Sequence, residues 1–194
     1  MAANPPDPPL TDGVVTLRLW TQDDVPAIAA ACREEEIARW LDQVPQPYSE
    51  KDARAYIELS DAGWRDGASA TFAITDAASG DVLGSIGLRH SADPDAGTSE
   101  IGYWVKRDAR GRGVAKRALY VVSRWALEEL RIPRLQLRAD ELNEPSKRVA
   151  EAVGFVREGV LRSSRYNGRQ QRRVDFVMYS LLPGELRAPK AFRG

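Results

Sequence analysis

Arg110-Gly111-Arg112-Gly113-Val114-Ala115 lies between a strand-like run ending at Trp104-Val105 and an amphipathic run from Lys116 to Leu130. A glycine-containing turn that opens a helix directs unpaired backbone N–H groups at a ligand, and the helix dipole and two arginines add positive charge. The chemistry suggested is the grip of a phosphate-bearing ligand; the plainer alternative is a connection between polar residues. Two familiar nucleotide signatures fail. A P-loop needs Gly followed by Lys and then Ser or Thr, a tripeptide absent from the chain. The dinucleotide fingerprint needs a small residue where Lys116 stands and an acid ending a second strand, whereas Glu128 and Glu129 fall inside the helical pattern.

The frame that must position this turn is one domain, since 194 residues with 43% hydrophobic content suit one substantial core and are short for two. Basic and acidic residues number 28 each, so no global field favours nucleic acid or an anionic membrane, and neither is expected as a partner. Cys32 is the single cysteine and His90 the single histidine, which rules out an intramolecular disulfide and leaves no Cys/His set with zinc-ligand spacing; no metal is expected. No apolar run approaches the ~20 residues of a membrane span, and the start lacks a basic-then-apolar signal pattern, so the expected location is the cytoplasm.

Between a flexible proline-rich tail expected over residues 1–13 and a C-terminal tail over 183–194, in which Phe192 is the one aromatic able to dock, the hydrophobic period switches between two and about 3.6. That is the pattern of an α/β (α+β) domain over residues 14–182, with helices packed on a mixed, mostly antiparallel sheet. Val15, Leu17 and Leu19 alternate in a first strand. Thr21 with Asp24 caps a helix through Ala31, and Ser49 with Asp52 caps a second through Leu59. Strands are expected at 70–75, 82–88 and, after the Asp93-to-Gly97 loop, 99–105. The helix after the glycine turn ends at Pro133 and precedes a strand at 135–139. A short helix capped by Asn143 stops at Gly154, and strands at 155–161 and 174–181 close a hairpin around Asn167-Gly168.

Arg110, Gly113 and Ala115 stand in register with the phosphate-binding signature of the GNAT acyltransferase superfamily, which the arrangement resembles. Glu100-Ile101-Gly102-Tyr103-Trp104-Val105, the segment Asn143, Ser146, Arg148-Val149, Glu151, Gly154-Phe155, and the stretch Trp40-Leu41 through Pro47-Tyr48 to Ala53 narrow the resemblance to the RimJ/RimL-like branch, typified by bacterial enzymes that acetylate ribosomal-protein N-termini. The resemblance implies about seven strands and about four helices, with two splayed strands forming an acetyl-CoA cleft. It implies direct transfer of acetyl from acetyl-CoA to a primary amine, of a protein N-terminus or a small molecule. A non-catalytic acyl-CoA-binding or sensor module is the alternative, and self-association as a homodimer stays open.

Acyl transfer from a thioester to an amine needs an uncharged nitrogen, a place for negative charge on the carbonyl oxygen, and a proton for the departing sulfur. Strand alternation puts Glu100 and Trp104 on one face and Ile101, Tyr103 and Val105 on the other. Glu100 is therefore the expected base, directly or through water, although a strand-end charge or an ion pair with an arginine explains it equally. By the resemblance Asn143, otherwise a helix cap, bonds the pantetheine; Ser146 gives the proton, with Tyr103 or Tyr179 as alternatives; the backbone N–H near Val105 serves the oxyanion. Trp104, Val105, Arg110, Gly111, Arg112, Gly113, Val114, Ala115, Lys116, Asn143, Ser146 and Arg148 form the expected cofactor site, with Lys147 a further phosphate contact. Trp40 and Tyr48 are expected to line the acceptor pocket, alongside Trp64, or else to be core. Cys32 reads as packing, His90 as a strand end, and the arginines at 162, 165, 169, 172 and 173 as a solvated hairpin rather than a site for acidic peptide or RNA.

Overall fold

Alternation of large apolar and small or polar residues in seven segments, with a two-residue eighth, builds one sheet. The computed structural model describes residues 4–92 and 97–189. Strands β1 (Leu10–Thr11), β2 (Val15–Arg18), β3 (Ser69–Asp76), β4 (Val82–His90), β5 (Thr98–Val105), β6 (Arg134–Asp140), β7 (Val156–Asn167) and β8 (Arg172–Leu181) lie in the order β1-β2-β3-β4-β5-β6-β8-β7. All neighbours are antiparallel except β5 and β6. Helices α1 (Val25–Cys32), α2 (Glu35–Trp40), α3 (Glu50–Asp66), α4 (Val114–Glu128) and α5 (Glu144–Val153) pack on it.

The two faces of the sheet carry different cores. Phe72, Ile86, Ile101, Leu135, Leu137 and Tyr179 join the buried stripe of α4 and Ala150 and Val153 of α5 in the larger cluster. Ala73 and Trp104, on the opposite face, join Trp20, α1 and the Ala53/Ile57 side of α3 in a second cluster, where the Trp20 and Trp104 rings stack at 6.4 Å. Parity explains the division: Tyr103 pairs with Ile86 and Trp104 with Ser85, so adjacent residues of β5 face opposite cores.

Local chemistry sets the helix ends. The α3 start is a capping box in which Ser49 accepts the Asp52 N–H, and its end is Gly67 in the left-handed region. Asn143 caps α5 by accepting the Ser146 N–H, and Gly154 ends it at φ +107, where a Cβ would stand 2.4 Å from the Glu185 carbonyl oxygen.

Among the described residues eight strands and five helices stand against the expected seven or so and four or so. The additions are β1 and α2. Residues 10–13 are not tail: Leu10 pairs with Leu17, and the Asp12 carboxylate accepts from Arg117 of α4 at 2.7 Å. Beyond β8 the chain also docks, with the Arg187 N–H donating to the Val153 carbonyl and Leu186 packed on the larger core. Phe192 and residues 93–96 of the expected loop lie outside the described residues.

Candidate active site

β5 and β6 pair in parallel only through Thr98–Arg134, Ser99–Leu135 and Glu100–Gln136, after which they part. Residues 101–105 stay bonded to β4 on their other edge. Because Lys106 N–H donates to Leu83 and Ser91 N–H to Thr98, the even-numbered residues of β5 turn their backbone groups to β4. The N–H and C=O of Ile101, Tyr103 and Val105 therefore line the open edge.

At the mouth of this gap the chain passes through Arg107–Ala109, a single 3₁₀ turn, and enters α4 through Gly111 and Gly113. Both glycines have positive φ, +75 and +79, and nothing stands within 4 Å of where a Cβ would be. Glycine is required here by backbone conformation, and the space above it is open. Of the three helices with ten or more residues, α4 alone has no side-chain cap, so its first-turn N–H groups face that space. An uncapped helix start, two glycines and open space fit a diphosphate.

Arg110 does not point there. Its guanidinium donates to Glu36 at 2.6 Å, to Glu34 at 2.8 Å and to the Val105 carbonyl at 3.0 Å, so it ties the turn to α2 and β5. Arg112 is the more exposed of the two and stands 3.7 Å from Asp76. Trp104, expected at the cofactor, is also corrected. Its ring lies in the second core against Trp20, its backbone faces β4, and only Val105 of that pair meets the gap.

The gap is bridged on the α4/α5 face. Tyr103 Oη lies 3.0 Å from Ser146 Oγ and donates at 3.3 Å to the Ser146 carbonyl, joining β5 to α5. Burial pushes the Tyr103 hydroxyl above its ordinary value of 10, although the Ser146 bond works the other way. Asn143 uses its Oδ1 to accept the Ser146 N–H at 3.2 Å, and Arg148 is exposed on the same helix. Tyr179 has a different hydrogen-bond partner: it is fully buried, donates to Glu151 at 3.0 Å and is pushed up to about 12 by burial and that carboxylate.

Glu100 lies on the other face, at the last paired position before the strands part. Both carboxylate oxygens accept from Arg138 of β6, at 3.0 and 2.7 Å. Glu100 is thus ion-paired with Arg138, and Glu100 and Ser146 lie on opposite faces of the sheet. Arg138 is further held 5.9 Å from the Phe176 ring centre, with Arg165 at 5.9 Å from the same ring. Sequence reasoning missed Arg138, because its link to Glu100 is visible only once the parallel register is known.

Among the acceptor residues, Tyr48 is 6% exposed and packed in the second core; burial raises its hydroxyl, so it is not an open pocket wall. Trp64 is likewise core, against Phe72 at 5.2 Å. Trp40 is half-buried at the end of α2, with the Arg39 guanidinium 4.7 Å from its ring centre.

The comparisons with known proteins agree with this geometry. An acetyltransferase (GNAT) domain profile matches residues 15–156. The chain belongs to the GNAT acetyltransferase family. YdaF of Bacillus subtilis (strain 168), named as a candidate ribosomal N-acetyltransferase, is 31% identical over 185 residues, 91% of this chain and 95% of that protein. An uncharacterized N-acetyltransferase, p20 of Bacillus licheniformis, is 26% identical over 88% of this chain and 94% of its own. RimJ of Mycobacterium smegmatis, solved in complex with a CoA disulfide, superposes with a TM-score of 0.79 at 23% identity, over 95% of this chain and 90% of that one, which is a likeness of fold. The activity of this GNAT chain is N-acetyl transfer from acetyl-CoA to an amine.

Proposed function

We propose that the acceptor is the α-amino group of a protein N-terminus, a ribosomal protein as in the naming of YdaF, and that transfer takes place through the gap between β5 and β6 in the cytoplasm. The observation that carries this reading is the parting of the two strands after Glu100, which opens the sheet between a carboxylate on one face and a hydroxyl pair on the other. An amine arriving on the Glu100 face reaches the same opening as a thioester held on the α4/α5 face.

Acetyl-CoA, when bound, supplies an acyl carbon activated as a thioester. The N–H groups from Gly111 to Lys116 hold its diphosphate, with Arg112 and Arg148 as exposed charges nearby. Asn143 keeps its side-chain N–H₂ for the pantetheine while its Oδ1 caps α5. The Val105 N–H, on the open edge, faces the negative charge that grows on the carbonyl oxygen. Ser146 gives a proton from Oγ to the departing sulfur and recovers one from Tyr103. The amine attacks in its neutral form, and Glu100 takes, directly or through water, the one proton its nitrogen sheds as the amide forms, while Tyr103 regains its own proton from solvent. An α-amino group, with an ordinary pKa near 8, is already partly neutral, so one proton acceptor suffices.

The test is mass spectrometry of peptides incubated with the purified chain and acetyl-CoA. Acetyl on the α-amine, no transfer to peptides whose α-amine is blocked, and loss of turnover with retained CoA binding in Glu100→Gln are expected. Tight CoA binding with no transfer to any amine would establish the sensor reading instead.

A further inference from the structure

Between Gly159 and Arg173 the chain has five arginines and no acid. Among the described residues two of the five form ion pairs: Arg165 with Asp42, and Arg172 with Asp140 at 2.5 Å. Arg169 donates instead to neutral carbonyl oxygens at the end of α2 and in the loop after it, Ala38 at 2.6 Å, Leu41 at 3.3 Å and Val44. Asn167 and Gln170 add bonds to the Arg39 carbonyl at 3.3 and 2.9 Å. The hairpin tip is therefore fastened to α2, and a cavity of about 760 Å³ remains between them.

Its charged lining is Arg39, Arg169 and Arg172 against Glu35, with Gln46 and Leu142 beside them. With the Arg172–Asp140 pair set aside, the balance is still positive. Asp140 ends β6, and Glu34 and Glu36 of the adjoining segment hold Arg110, which itself bonds the Val105 carbonyl at the end of β5. The cavity thus sits at the end of the sheet where β5 and β6 have parted. On the Glu100 face, Arg138 and Arg165 flank Phe176, each held in an ion pair, with Glu100 and Asp42.

We infer, on the reading that a peptide N-terminus is the acceptor, that this cavity selects N-terminal segments bearing Asp or Glu within the first few residues, read chiefly by Arg39. Coulomb attraction at this open, net-positive site rewards a carboxylate and penalises a lysine, so the discrimination is two-sided and sensitive to salt.

Two peptides with the same first residue and either Asp-Glu or Lys-Lys at positions two and three test the inference, by turnover and by fluorescence anisotropy of labelled peptide on the CoA-loaded chain. The acidic peptide should have a kcat/KM and an affinity at least tenfold higher, falling as salt is raised. Arg39→Glu should cut that preference at least fivefold; Arg124→Glu, an exposed position on α4, should leave it in place. Acetylation of both peptides with equal efficiency would overturn the charge reading and leave the N-terminal acceptor standing. Binding without turnover of either peptide would overturn the acceptor reading, and the anisotropy ratio would still decide the charge reading. Displacement of the acidic peptide by oligo(U) RNA at the same salt, or better acetylation of free glutamate, would assign the cavity to another ligand.

Discussion

The Tyr103 hydroxyl on β5 and the Ser146 hydroxyl on α5 meet at 3.0 Å across the opening left where β5 separates from β6. If they hand on one proton in series, removing Ser146 disables the donor, and removing Tyr103 only slows its replenishment. Ser146→Ala should lower kcat about 10²-fold and Tyr103→Phe about tenfold, with little change in the acetyl-CoA KM. Because the groups act as a unit, the double variant should be no worse than Ser146→Ala. Multiplicative losses in steady-state kinetics would show two independent roles.

Gly113 separates a phosphate role from a purely conformational one. Gly113→Val puts a β-branched residue at φ +79, at a strain of about 1–2 kcal/mol, and fills the space over the α4 start. Gly80 has nearly the same geometry, φ +78 with nothing within 4 Å of a Cβ, in the turn between β3 and β4. Gly113→Val should raise the acetyl-CoA KM at least tenfold. Gly80→Val should lower the melting temperature comparably and leave KM alone; equal KM values for the two variants would remove the diphosphate from this turn.

Asp24 links acid stability to the second core. Burial alone would raise its carboxyl, but the Arg18 guanidinium, at 2.7 and 2.8 Å, and the Thr21 N–H outweigh that and hold it below the ordinary value of 3.8. A carboxyl lowered on folding contributes stability above its unfolded pKa and loses it as pH falls through the folded value. Asp24→Asn should therefore cost about 2–3 kcal/mol near pH 7, and the gap from wild type should narrow below pH 3.8. Urea unfolding at pH 7 and pH 3 measures both numbers.

Cys32 should be inert in the native chain. It is 3% exposed, and burial pushes its thiol up to about 11, with Glu34 adding to the shift and the Tyr48 bond opposing it. At pH 8 about one thiol in a thousand is thiolate. Iodoacetamide should leave the native chain unlabelled over an hour and alkylate it fully in denaturant; rapid native labelling would place Cys32 in a mobile segment instead.

The elements legible in the chain are those with a local cause. Ser49 and Asp52, Asn143 and Gly154 lie within a few residues of the groups they satisfy, so α3 and α5 were readable from spacing. The α2 helix has six residues and no side-chain cap. It is held from far along the chain, by Arg110 on Glu34 and Glu36 and by Arg169 on the Ala38 carbonyl. The β1 strand, two residues long, depends in the same way on Arg117 meeting Asp12. A short element with distant partners leaves no periodic trace.

The same division runs through the site. Glycine at positive φ, an uncapped α4 and the opposite facing of Glu100 and Tyr103 follow from residue type and strand parity alone, because backbone sterics and a two-residue period operate over neighbouring positions. Where Glu100 finds Arg138, where Arg110 leaves the phosphate turn for α2, and why Tyr48 goes into a core rather than a pocket follow from packing. Each depends on the register of strands and helices tens of residues apart, and no spacing along the chain encodes which of its many arginines will arrive beside a given carboxylate.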